Sequence, residues 1–114
     1  MKKFLVIFTC AEKSPNHEAW MKLSSSDQQD LMARGNEAQK KWDMLNKNFV
    51  IDEGHSLGNV KQVDESGVKT IPKKQGKYMV VEAESHEAAS RIFLNHPHFS
   101  FFPGDGVEVI EILS

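Results

Sequence analysis

Five histidines and one cysteine are the side chains of this 114-residue chain best suited to move a proton or attack an electrophile at neutral pH. His55 stands in the best company. It follows Asp52-Glu53-Gly54, and carboxylates beside a histidine tune its pKa toward neutral, as a general base requires. Asp52 would then orient that base, and Asp52 with Glu53 is a carboxylate pair of the kind that divides acid and base roles. The competing use of Asp52, and the one favoured, is to close a turn through its own backbone. For His55 the competing reading is a loop histidine in solvent. His96 and His98 flank Pro97, a spacing that invites a metal. No third ligand at a fixed spacing and no cysteine pair accompanies them, so no metal site is expected, and the segment reads as a helix stop with a polar cap. His17 has no evident partner. Cys10 ends an apolar run, where a lone cysteine acts as a small apolar filler more often than as a nucleophile. Gly104-Asp105-Gly106 is a turn and not a phosphate loop, and no cofactor is expected.

Two aromatic residues are candidates to line a ligand pocket with His55. Trp42 lies on the apolar stripe of a helix, where core packing is the commoner role, yet a core tryptophan at a helix–sheet boundary also walls a cleft. Tyr78 combines an apolar ring with a hydroxyl able to reach a ligand, although such a residue is more often simply part of its strand. Phe99, Phe101 and Phe102 form an aromatic loop suited to cover a pocket or to pack an edge between subunits.

The elements that must position these residues follow from hydrophobic period. Lys3 to Cys10 alternates Phe4, Val6 and Phe8 against Leu5 and Ile7, apolar on both sides, which predicts a strand buried on both faces. Ala11 to Lys22 reads as a connector, with Trp20 and Leu23 packing inward. Asp27 to Lys47 reads as an amphipathic helix behind a Ser24-Ser25-Ser26 cap, with Leu31, Gly35, Ala38, Trp42, Leu45 and Phe49 in its stripe. A glycine in that stripe costs about 1 kcal/mol against alanine, which predicts a close approach of another segment at Gly35. Phe49-Val50-Ile51 is followed by a hairpin, Gly58 to Asp64 and Val68 to Ile71, turning at Glu65-Ser66-Gly67. Lys77 to Glu84 is a strong strand. Ser85 caps a helix with Ala88, Ala89, Ile92 and Phe93 as its buried stripe, ended by Pro97, and Val107 to Ile112 is the closing strand.

The order β-α-β-β-β-α-β, without the hairpin extension, is the ferredoxin-like arrangement: an α+β fold with an antiparallel sheet and two helices on one face. One helical layer covers one face of the sheet. The strands are apolar on both, with Tyr78 and Val80 opposed to Met79 and Val81, and Val107 and Val109 opposed to Ile110 and Ile112. The uncovered face predicts a homodimer whose sheets pack face to face.

Composition limits the function classes. The length fits one domain spanning residues 1–114. Hydrophobic residues make up 39% and charged residues 26%, ordinary for a globular protein, and the net charge of −2 leaves no basic stripe for nucleic acid. The apolar run after Met1-Lys2-Lys3 is too short for a signal peptide and nothing approaches a membrane span, so neither membrane nor nucleic acid is expected as partner. A lone cysteine fits a reducing compartment, and the chain reads as cytoplasmic.

Several segments in order resemble the YCII-related family. They are Lys3-Phe4-Leu5-Val6-Ile7; Val50 to Gly58, similar to a V-D-x-G-x-P-L-G segment; Gly76 to Ser85, similar to G-Y-x-V-V-E-A-x-S; and His96-Pro97-His98 with Val107-Glu108-Val109. The resemblance covers nearly the whole chain and implies a dimeric α/β barrel. One branch of that family suggests a His–Asp pair with the histidine in the first long helix, but Asp27 to Lys47 holds no histidine. Another branch carries Asp-Gly-Pro-Phe before the central strand, where this chain has Lys73-Lys74-Gln75-Gly76. The fold expectation therefore carries over and the family's acid/base pair does not. The leading expectation is a protein that binds a small organic metabolite in a helix–sheet cleft lined by Trp42, Asp52, His55 and Tyr78. The alternatives are an acid/base enzyme of lyase, isomerase or hydrolase type, with His55 as base and Asp52 as its orienter, and a non-catalytic dimeric interaction module.

Overall fold

The structure, a computed structural model, describes residues 1–11 and 13–113. In chain order the elements are β1 (Lys2–Thr9), α1 (Pro15–Met21), α2 (Ser25–Asn46), β2 (Val50–Asp52), β3 (Val60–Asp64), β4 (Gly67–Ile71), β5 (Gln75–Ala83), α3 (His86–Arg91), a 3-10 turn (Pro97–Phe99) and β6 (Gly106–Glu111). Four strands form one sheet in the order β2-β5-β1-β6, with every neighbouring pair antiparallel. The β3–β4 hairpin is a separate two-stranded sheet. This is the expected α+β arrangement with the hairpin as an insertion.

Strand period decides the faces. Val6 stands opposite Met79 and Val109, and Phe4 opposite Val81, so the even residues of β1 share one face with the odd residues of β5 and β6. Phe4, Val6, Phe8, Met79, Val81 and Ala83 are buried there against Trp42 of α2 and Ala89 and Phe93 near α3. The opposite face presents Leu5, Ile7, Tyr78, Val80 and Ile110, all partly or largely exposed.

The helices follow local signals. Ser24 accepts a hydrogen bond from the Asp27 amide (3.1 Å) and starts α2, and Ser85 does the same for Ala88 (3.0 Å) at α3. The buried stripe of α2 is narrower than its period suggests. Gly35 and Trp42 are buried, whereas Leu45 is 81% exposed. The connector expected before α2 contains a short helix. Ser14 caps it by accepting from the His17 amide (3.1 Å), and Pro15 takes the first helical position, where its missing N–H costs nothing. Helix α3 ends at Arg91, earlier than Pro97, and the chain reaches Pro97 through turns.

The hairpin projects from the body. Every residue from Lys61 to Thr70 is exposed, including Val63 (73%) and Val68 (66%), which face each other across the pair. The radius of gyration is 15.6 Å, where a compact chain of this length has about 13 Å. An isolated two-stranded ribbon is marginal in water.

The close approach expected at Gly35 is present. A Cβ there would meet Phe102 Cζ at 2.6 Å and Phe101 Cβ at 2.8 Å. The Gly35→Ala variant gains helix propensity but overpacks this contact, and it should lose on the order of 1–2 kcal/mol of stability. Urea denaturation measures this. A gain in stability would mean that the aromatic loop yields freely.

Candidate functional site

Phe8 anchors the site. It ends the buried face of β1, and strand pairing slips just beyond it: Phe8 pairs with Lys77 and Thr9 with Gln75, so Gly76 is the extra residue of a bulge. Bulges re-aim side chains and concentrate at sheet ends and beside sites. Above this bulge lies a cleft of about 430 Å³ between α2 and the sheet. Its walls are Phe8, Phe102, Asn36 and Gln39 of α2, Ser56, Lys77 and the two histidines His96 and His98.

His96 closes the back of the cleft and is 3% exposed. Its ring lies 4.7 Å from Trp42, edge on, and 4.8 Å from Phe8, centroid to centroid. Its Nδ1 accepts the His98 backbone N–H (3.0 Å) and so caps the 3-10 turn. An Nδ1 that accepts is unprotonated, so the neutral ring carries its proton on Nε2. That buried Nε2 finds no hydrogen-bond partner among the described residues. Burial first, then the charges of His98 and Lys77, pushes the His96 pKa down to about 3, so the ring is neutral at physiological pH. His98 lies flat against Gly104, where any Cβ would strike its ring. Its Nε2 donates to Thr9 O (3.0 Å), and burial lowers its pKa as well. Lys77 faces the same cleft, with Nζ 5.9 Å from the Phe8 ring centroid.

The residues singled out from the sequence fall in three places. Trp42 is buried behind His96, stacks obliquely on Phe93 (5.3 Å) and donates from Nε1 to Ile92 O (3.4 Å). It backs the cleft through His96. Asp52 is exposed and closes a turn: its Oδ1 accepts the Gly54 N–H (2.8 Å). Gly54 has φ +70°, and a Cβ there would collide with the Tyr78 carbonyl, so the loop depends on glycine. His55 is exposed with its ring 6.3 Å from that of Tyr78, and its carbonyl accepts the Tyr78 N–H (3.2 Å). Among the described residues no hydrogen bond or ion pair joins His55 to Asp52 or Glu53. Tyr78 belongs to the outer face of the sheet, away from the helices. The structure thus brings Tyr78 and His55 together at the outer face and leaves Trp42 in the core.

From the sequence, His96 had only a part in stopping the helix after Ser85, but α3 ends at Arg91 and His96 instead caps the start of the 3-10 turn. The signal for more was its spacing. Ala89, Phe93 and His96 follow one another at four and three residues, which puts a histidine in an apolar stripe. Cys10 donates its thiol to Pro103 O, and burial followed by the Asp105 carboxylate raises its pKa, away from nucleophilic use. Among the described residues, no group of three His, Cys, Asp or Glu side chains converges as a metal cage would. No described helix is long and apolar enough to cross a membrane.

Comparison with solved structures finds a similar fold. The chain superposes on 5-chloro-2-hydroxyhydroquinone dehydrochlorinase (TftG) from Burkholderia phenoliruptrix AC1100, in its complex with 2,5-dihydroxybenzoquinone, with a TM-score of 0.54 and 14% identity over 97% of this chain and 93% of that one. No family model matches the chain, and no curated protein matches it in sequence.

Burial of a neutral His96 has a pH signature. The unfolded histidine has a pKa of about 6.5. Because the folded value is lower, the unfolded chain binds the extra proton as pH falls, so stability is full above about pH 6.5 and declines toward pH 3. His98 acts in the same direction. Asp105, whose pKa is lowered first by the Ala11 amide, adds a further loss only below about pH 4. Unfolding free energies from urea titrations should fall between pH 7 and pH 5 by on the order of 1 kcal/mol per pH unit, and the His96→Asn variant should flatten that slope. An equal slope in both proteins would remove His96 as its cause.

Proposed function

We propose that this chain is a single YCII-like domain that works in the cytoplasm as a homodimer and binds a small organic metabolite in the cleft between α2 and the sheet. The observation that carries this reading is the cleft itself: about 430 Å³, walled by Phe8 and Phe102 and closed by a buried histidine whose Nε2 has no partner among the described residues. Ligand sites have this size and makeup, apolar walls with a few convergent polar groups. A bare interaction module needs no such cavity. The bound ring compound in the structurally similar dehydrochlorinase supports the same ligand size for this chain.

The homodimer rests on surface chemistry. Leu5, Ile7, Tyr78, Val80 and Ile110 form an apolar outer face, and the β3–β4 hairpin extends beyond the body with Val63 and Val68 in water. A second copy laid on that face would cover both classes of surface. It would also wall His55 and Tyr78, and this favours keeping a second reading: an acid/base enzyme of lyase, isomerase or hydrolase type with His55 as base. For that reading a carboxylate oxygen of Asp52 must come within hydrogen-bond reach of His55, while its Oδ1 is engaged by the Gly54 amide.

Two measurements test the proposal. Calorimetric titration with a panel of small ring compounds, 2,5-dihydroxybenzoquinone among them, should give saturable binding with one ligand per chain. The Gln39→Phe variant, which fills the cleft, should abolish it, while His55→Gln should leave it intact. Binding lost in His55→Gln alone would move the site to the outer face, and a panel with no binder would remove the reading. Sedimentation equilibrium should give twice the 12.9 kDa chain mass, and Ile7→Lys should shift it toward one chain. A wild-type monomer at high dilution would end the homodimer.

A further inference from the structure

We propose that the Nε2–H of His96 and the ammonium of Lys77 together form a receptor for an anionic ring oxygen, so that the cleft selects planar ligands carrying a phenolate or enolate. This deepens the small-ligand reading above and rests on it. The assignment begins with the turn at Pro97. The His98 amide donates to His96 Nδ1, and an imidazole that accepts at Nδ1 presents a donor at Nε2. That donor is buried and finds no acceptor among the described residues, and the ring that carries it lines the cleft, so a small shift of the ring would bring the donor to a ligand there. An unmet buried N–H carries a desolvation cost, which a ligand oxygen in the cleft would relieve. His96 therefore gives a hydrogen bond and does not take a proton.

The rest of the cleft specifies what carries the oxygen. Lys77 is the ammonium among the residues that line it, and its position on β5 opposite Phe8 places it on the cleft face of the sheet. Phe8 and Phe102 supply apolar ring surface for a flat partner. Gln39 and Asn36 of α2 offer amides for further ring oxygens. Among the described residues that line it there is no carboxylate to repel an anion. A neutral donor beside a cation holds the ionised form of a hydroxylated ring more tightly than the neutral form, because hydrogen bonds to charged groups are roughly twice as strong.

The test compares 2,5-dihydroxybenzoquinone, ionised at neutral pH, with its dimethyl ether, 2,5-dimethoxybenzoquinone, which has the same ring and no acidic proton. The wild-type chain should bind the anion at least about tenfold more tightly, the worth of one charge-assisted hydrogen bond. His96→Asn keeps an acceptor for the His98 amide and withdraws the donor, so it should lose that tenfold preference. His96→Gln restores an amide donor near the Nε2 position and should recover most of it. Lys77→Met should weaken the anion alone. Nitrogen NMR of the wild-type chain serves even where variants misfold: it should show His96 protonated at Nε2 and bare at Nδ1, with the Nε2–H proton moving downfield when the anion binds. Equal affinity for anion and ether leaves the ligand-binding cleft standing and overturns the receptor. An imidazolium, or the opposite tautomer, in the complex overturns it too. Binding of neither compound, nor of any other in the panel, overturns both readings.

Discussion

The contact between the end of β1 and the turn at Pro97 governs the functional half of the molecule. Phe8 meets Phe93, His96 and His98 within one aromatic cluster, and Trp42 reaches the same cluster from α2. These rings join the sheet, the long helix and the segment after α3 at one point. Such a junction is apolar and tightly packed, so a histidine inside it must stay neutral and must satisfy its nitrogens locally. His96 does so on one side only, through the His98 amide. Its other nitrogen is buried and finds no hydrogen-bond partner among the described residues, while the ring lines the cleft, and that asymmetry sets this junction apart.

Glycines set how closely the surrounding chain can approach this junction. Gly35 lets the Phe101-Phe102 loop lie on the backbone of α2, and Gly104 lets the ring of His98 lie flat. Asn16 Nδ2 donates to Gly104 O (2.6 Å) and the Ala11 amide donates to Asp105 Oδ2 (2.6 Å), which ties the segment around α1 to the same loop. The cleft is thus bordered by short irregular segments held on regular ones, the arrangement in which binding residues sit on loops positioned by a rigid scaffold.

The two faces of the sheet divide the protein's physics. The inner face is completed within the chain by α2 and α3. The outer face is apolar at its centre, with Leu5, Ile7, Val80 and Ile110, and carries Lys3, Glu82 and Glu108 around them as well as Tyr78 with the nearby His55. A face of this composition and an exposed ribbon such as β3–β4 share one physical problem, apolar surface in water, and the proposed twin molecule solves both together.

Local rules made much of the architecture legible. Alternation of residues in Lys3 to Cys10, Lys77 to Glu84 and Val107 to Ile112 determined which side chains share a face, because a period of two depends on nothing outside the strand. Serine caps marked the starts of α2 and α3, since a cap satisfies amides two or three residues away. The turn at Asp52 was readable for the same reason. Ser14-Pro15 carried a helix signal of the same kind, hidden by an otherwise mixed segment. What the sequence could not decide was which histidine would be enclosed. His55 sits beside carboxylates in sequence and stands in water, while His96 sits beside asparagine and proline and is enclosed by Phe8, Trp42 and Phe93, residues far from one another along the chain. The tautomer is set locally by the His98 amide and the spacing from Phe93 hints at burial, but the enclosure of His96 is completed only when Phe8 and Trp42 meet it, and that meeting belongs to the tertiary structure alone.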